Sequence, residues 1–206
     1  TEDNLQIIGT YHEGADHKFA ILLHMMPATK ESWDSWIEKL VSVGYSCLEI
    51  DERGHGESNM DGTLRYPEFT DQEQQNKIYD VGAAFEYLKQ FGATEENTVM
   101  IGGSIGANLA IQFLQMHPKM KLAIALSPGI DYHGVMTDDP VRNLAEGQKA
   151  VVVASDDDIG SFKTIQILQE INPSQVDKIE LSGLGHATNI TETKPELIDE
   201  WIAAYL

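Results

Sequence analysis

The sequence predicts an α/β protein built on one mostly parallel central sheet with helices on both faces. Two observations carry this. Apolar runs of strand length alternate along the chain with stretches of helical spacing, and most runs are continuously apolar. A strand covered on both faces reads that way, whereas a half-exposed antiparallel strand alternates apolar with polar. The length agrees. The 206 residues hold no internal repeat, low-complexity tract or linker, and are expected to form one domain over 1–206 with a sizeable core.

Taken in order, the N-terminal stretch NLQIIGTYHEG is expected to add an antiparallel edge strand, followed by the apolar run Lys18–His24. Lys30–Val43 places Trp33, Trp36, Ile37, Leu40 and Val41 at helical spacing and stops at Gly44. Tyr45–Ile50 reads as a strand and Asp51–Ser58 as a Gly-rich loop. Thr70-Asp71-Gln72-Glu73 fits a capping box opening one helix that runs to about Phe91. Thr98–Gly102 is the next strand, and Ile105–His117 a helix stopped before Pro118. Leu122–Ser127 and Ala150–Ser155 are strands, separated by Gly129–Lys149, which has no clear periodicity. Phe162–Ile171 is a helix, Lys178–Leu181 the last strand, and Pro195–Leu206 a closing amphipathic helix with proline near its first turn.

Composition narrows the function classes. Thirty-three acids against 14 bases give a net charge of −19. Such a surface repels phosphate backbones and anionic membranes, so neither nucleic acid nor membrane is an expected partner. The single cysteine, Cys47, lies in an apolar run and reads as a small buried hydrophobe. No apolar stretch reaches membrane-spanning length and no signal peptide is visible, so a cytoplasmic location is expected; the chain starts at Thr1, which leaves a removed leader open.

In an open parallel sheet, chemistry gathers beyond the carboxyl ends of the strands. At one of these ends, Gly102-Gly103-Ser104-Ile105-Gly106 fits G-x-S-x-G. The motif sets a serine on a sharp strand-to-helix turn, where larger neighbours would collide and the helix N-terminus offers unpaired N–H groups. A serine needs a base to take its proton, and the base needs a carboxylate to fix its tautomer. Of seven histidines, His12 and His17 lie off the rim, His117 ends a helix, His133 lies in a loop, and His24 and His55 sit in upstream turns suited to bracing. His186, in the Gly-rich loop SGLGHAT after the last strand, is free to reach across. The acid is expected among Asp156, Asp157 and Asp158, at the end of the run VVVAS, which gives the chain order Ser…Asp…His.

With these residues in place, the chain resembles the α/β-hydrolase superfamily over nearly its whole length, in the manner of a lidless serine esterase. Leu23-His24-Met25-Met26-Pro27 is similar to the family's His-Gly oxyanion turn, and Asp51–Ser58 to its D-x-R-G-x-G-x-S loop. The resemblance implies Ser104 as nucleophile, His186 as base, and backbone N–H groups of Ile105 and Met26 as oxyanion donors. It departs at Met25, where glycine is usual, so either the turn is reshaped or Met25 tolerates strain. The family ends the acid's strand in G-x-x-D; with Ala154 at the glycine position, the acid falls on Asp157, leaving Asp158 as a helix cap or turn former and Asp156 solvated or bonded to a loop N–H. Only about 20 residues separate the strand at Leu122–Ser127 from the next, too few for a large cap domain. Met25, Tyr132, His133 and Met136 are candidate pocket residues, each equally well explained by packing.

The expected activity is hydrolysis of small soluble carboxylic esters, with water as second substrate and no cofactor or metal. Neither H-E-x-x-H nor a calcium-loop spacing occurs. Other hydrolases of the fold (thioesterase, peptidase-like or C–C bond hydrolase) and a non-catalytic binding protein stay open. The oligomeric state is not readable.

Overall fold

The computed structural model describes residues Thr1–Leu206. Nine strands form: β1 (Gly9–His12), β2 (Lys18–Leu23), β3 (Tyr45–Ile50), β4 (Thr98–Gly103), β5 (Leu122–Leu126), β6 (Asp131–Tyr132), β7 (Val135–Met136), β8 (Lys149–Ser155) and β9 (Val176–Leu181). Seven make one sheet in the order β1-β3-β2-β4-β5-β8-β9. All neighbours are parallel except β1, which pairs antiparallel with β3 in the register Gly9↔Ile50 to His12↔Cys47. The chain runs outward from β2 to β3 and then returns past β2 to β4. The sheet's switch point therefore lies between β2 and β4, where a crevice opens at the carboxyl ends of the strands.

Eight helices cover the sheet: α1 (Asp34–Ser42), α2 (Asp71–Gln75), α3 (Ile78–Lys89), α4 (Ile105–Met116), α5 (Asp138–Arg142), α6 (Ile159–Ile171), α7 (Thr188–Thr193) and α8 (Glu196–Tyr205). Strand residues alternate between two apolar layers. Phe19, Ile21 and Leu23 of β2 share one apolar layer with Phe85 of α3, Leu109 of α4 and Leu168 of α6. Ala20 and Leu22 pack on the opposite face with Trp36 of α1 and Trp201 of α8. The indoles of Trp33, Trp36 and Trp201 form a continuous aromatic layer, with centroid separations of 5.8 and 5.9 Å. Such edge-to-face and tilted pairs add to area burial.

Three elements differ from expectation. The predicted helix from Thr70 to Phe91 is broken in two, α2 and α3, at Asn76–Lys77. The capping box at Thr70 is present, and the break turns Lys77 fully inward, where its Nζ lies 3.0 Å from the equally buried Glu52 carboxylate. An isolated charge in the core would be costly, so the pair holds the kink in place. The aperiodic stretch after β5 folds into the β6–β7 hairpin and the short α5. The loop after β9 carries an additional helix, α7. These pieces are too short for a periodic signal to emerge.

Candidate active site

The rim above the switch point is built from the ends of β2, β4, β5, β8 and β9. Ser104 sits between β4 and α4 at φ 55° and ψ −120°. A non-glycine residue with this backbone is strained and persists only where surroundings over-determine it. The surroundings are visible. A Cβ on Gly102 would lie 2.1 Å from the Gly106 carbonyl oxygen, and one on Gly106 would lie 2.4 Å from the Leu23 carbonyl oxygen. The two glycines thus let the helix start press directly against both β4 and the end of β2. The Ser104 N–H donates to the Leu126 carbonyl at 2.8 Å, tying the turn to β5.

Across the rim, His186 Nδ1 lies 2.6 Å from Asp158 Oδ2. That bond puts the imidazole proton on Nδ1 and leaves Nε2 as the free acceptor. It is the imidazole's one hydrogen bond; Ser104 Oγ makes none to Nε2. The histidine loop nevertheless packs on the serine's strand, since a Cβ at Gly103 would meet the Ala187 Cβ at 3.1 Å. Ala187 repeats the strained serine conformation, with φ 51° and ψ −122°. Its buried N–H donates to Ser127 Oγ at 2.9 Å.

The acid on the histidine is Asp158, not the expected Asp157. The reason is local. Asp158 N–H donates to the Ser155 carbonyl at 3.0 Å, so the chain turns immediately after β8. The alternation of an extended strand does not continue through the three aspartates. Asp158 is swung over the rim, where it also caps α6 by accepting the Ser161 N–H at 3.4 Å. Burial pushes its pKa up, but the bonds from His186 and Ser161 outweigh this and hold it below the usual carboxylate range. Asp157 is exposed and accepts the Gly185 N–H at 3.1–3.2 Å. Asp156 binds Ser182 Oγ at 2.8 Å and Gly183 N–H at 3.0 Å. Two of the acids therefore brace the loop that carries His186, and the third meets the imidazole.

Ile105 opens α4, so its N–H has no acceptor within the helix. The N–H of Met26 makes no hydrogen bond. Met25 does not take a positive φ, so the turn is reshaped to suit it rather than strained. Under this turn lies a buried brace. His24 receives the Glu52 N–H on Nε2 at 3.0 Å and donates from Nδ1 to the Met25 carbonyl at 3.0 Å. The Ala28 N–H reaches the same carbonyl at 2.8 Å. Because that carbonyl shares a peptide plane with the Met26 N–H, fixing one orients the other.

Of the candidate pocket residues, Met25 is half-buried with its Sδ 4.0 Å from Thr188 Oγ1, beside the histidine loop. Tyr132 is half-buried on the rim. His133 and Met136 are not brought to the serine. His133 pairs with Asp71 at 3.2 Å near the hairpin tip. Met136 stands opposite Asp131 on the face of the hairpin away from the Tyr132–Val135 pair, because side chains alternate along a strand. The hairpin's small size hid this alternation from periodicity. Cys47 is buried, and its thiol is pushed up to about 12 by burial, then by the neighbouring Glu49; it is no rival nucleophile.

The largest cavity, about 700 Å³, lies away from this rim, between the N-terminal residues and α3–α4, lined by Thr1, Ile78, Phe85, Tyr87, Phe113 and His117. It contains no serine or cysteine. The rim's paired imidazole and strained serine weigh more than volume in choosing the site.

The family profile described as serine aminopeptidase, S33 matches residues 16–179. The chain belongs to this family. Its fold is that of the α/β-hydrolases, with no large cap over the rim. An esterase of Pyrococcus furiosus, Pf2001, superposes with a TM-score of 0.80 at 19% identity, covering 100% of this chain and 87% of that one. The Butyrivibrio proteoclasticus protein Est1E, solved with ferulic acid bound, gives a TM-score of 0.76 at 16% identity, covering 98% and 96%. An uncharacterized protein of Rickettsia prowazekii is 26% identical over 119 residues, 54% of this chain and 45% of that protein. The chain thus spans less than half the length of the curated relatives it matches. No helix is long and apolar enough to cross a membrane.

Proposed function

We propose that the protein is a serine hydrolase that cleaves small carboxylic esters through an acyl-enzyme, with Ser104, His186 and Asp158 as its triad. The observation that carries this is the 2.6 Å His186–Asp158 pair packed across from a serine on a strained turn. In this reading His186 Nε2 takes the Ser104 proton as Oγ attacks the ester carbonyl. The tetrahedral oxyanion is held by the N–H groups of Ile105 and Met26. Imidazolium, stabilised by Asp158, then protonates the leaving alcohol, and water activated by the same nitrogen releases the acid. A rim without a large cap suits small soluble esters better than long acyl chains.

Two measurements test the reading. Ser104 should take up a fluorophosphonate, and a p-nitrophenyl ester series from acetate to decanoate should show turnover that falls with chain length. Ser104→Ala with full esterase activity sinks the assignment. The family's description raises a second reading, cleavage of N-terminal aminoacyl bonds. An aminoacyl p-nitroanilide panel run beside the esters separates the two.

A further inference from the structure

The phenol of Tyr132 stands at a junction that the mechanism above does not use. Its hydroxyl lies 3.3 Å from the Ser127 carbonyl and 3.2 Å from Ser161 Oγ. Ser127 accepts the N–H of Ala187, the residue after His186. His186 bonds Asp158 through Oδ2, and Asp158 accepts the Ser161 N–H through Oδ1. The contacts close a ring: Tyr132, Ser127, Ala187–His186, Asp158, Ser161 and back to Tyr132. The phenol ring is also wedged against the chain, since a Cβ on Gly129 would lie 2.7 Å from its Cζ. Burial pushes the phenol's pKa up, against the pull of its bond to Ser161. Tyr132 therefore touches Ser127, which holds the residue after the imidazole, and Ser161, whose N–H the imidazole's carboxylate accepts.

We propose that Tyr132 is a positioning residue that locks the His186–Asp158 pair in register through Ser127 and Ser161. This rests on the hydrolase reading above. A hairpin of four paired residues with so little core of its own has a clear use here: it delivers one hydroxyl to the centre of the ring. Hydrogen-bonded networks of this kind hold geometry cooperatively, so cutting one link releases its neighbours.

The test uses Tyr132→Phe, Ser161→Ala and the double variant, measured with p-nitrophenyl acetate, a fluorophosphonate and a thermal melt. Ser161→Ala removes only the hydroxyl and keeps the N–H that Asp158 accepts. Each single variant should lower kcat and the labelling rate by about fivefold to tenfold, the size of one lost neutral hydrogen bond. KM should stay within about twofold, because the loss is in the transition state. The double variant should be no slower than about twice the worse single, because both changes cut the same link. Singles within about twofold of the wild type in kcat, or losses that multiply, overturn the proposal. So does a rise in KM that tracks a fall in Tm, which is the mark of a merely structural role. If Tyr132→Phe does not fold, Ser161→Ala alone decides by the same criteria. A wild type that neither turns over esters nor labels at Ser104 overturns the hydrolase reading and this proposal with it; an active wild type with indifferent variants overturns this proposal alone.

Discussion

Replacing Asp158 by asparagine isolates what the carboxylate does for the imidazole. Asparagine is nearly isosteric and can still accept the Ser161 N–H, so the α6 cap survives. What changes is the partner of His186 Nδ1. The wild-type pair is a 2.6 Å bond between an imidazole N–H and a carboxylate held below its ordinary pKa. An amide can satisfy the imidazole through its NH₂, which turns the tautomer around and places the proton on Nε2, where the base must be free. The loss should be about 10³–10⁴-fold in kcat, or roughly 4–5.5 kcal/mol of transition-state stabilisation. Asp157→Asn keeps an oxygen that can accept the Gly185 N–H and should stay within about threefold of the wild type. The assay is p-nitrophenyl acetate hydrolysis with a thermal melt on each variant. Asp157→Asn losing orders of magnitude while Asp158→Asn keeps its rate would refute the assignment and restore Asp157 to the triad.

Other expectations follow from the same geometry. Lys77→Met leaves Glu52 buried and unpaired and should cost about 3–5 kcal/mol in urea unfolding, largely recovered in the double variant with Glu52→Leu; a single variant as stable as wild type would contradict the buried pair. Gly106→Ala drives a Cβ to 2.4 Å from the Leu23 carbonyl oxygen. It should either fail to fold or lose more than about 100-fold in kcat, because the Met26 turn hangs from that strand end; a well-folded variant of normal rate would refute the close approach. His55 is held neutral, its pKa lowered to about 3 by burial and then by Lys77. Below about 6.5 the unfolded chain binds a proton that the folded His55 refuses, so stability is full above that pH and falls towards pH 3, by up to roughly 4–5 kcal/mol. His55→Gln should flatten that dependence in urea titrations from pH 7 to pH 4; an unchanged slope would show that other groups carry it.

Much of this was legible in the residues, and where it was not the reason is physical. The parallel strands were readable because their burial on both faces leaves a continuous apolar run, as in Val151–Val153. The serine turn was readable because it needs glycine on either side of Ser104 for steric reasons that leave a mark in sequence. His186 stood out by its place after the last strand. The break at Lys77 was not readable, because a lysine in helical sequence says nothing about whether its ammonium meets solvent or a buried carboxylate such as Glu52. The hairpin at Tyr132 was not readable either, since two residues per strand cannot establish a period.

The aspartate run shows where local rules stop. Alternation along a strand, counted from Ala154, puts one acid inward and its neighbours outward, but it assumes that the chain stays extended. The turn closed by the Asp158 N–H ends that assumption at Ser155. From there the acids are sorted by what each can reach rather than by parity. Asp156 and Asp157 find the N–H groups of Gly183 and Gly185, which a glycine-rich loop leaves open. Asp158 finds the imidazole and the helix start together. Three like charges this close repel one another, and only one sits where burial would penalise it; that one has two hydrogen-bond donors, so its charge is held where the base requires it. Neutralising Asp156 should therefore loosen the loop and leave Asp158 charged. The Asp156→Asn variant is expected to show a modest rise in KM with kcat within about threefold, and a loss in kcat on the scale of Asp158→Asn would mean that the loop acids and Asp158 act as one unit.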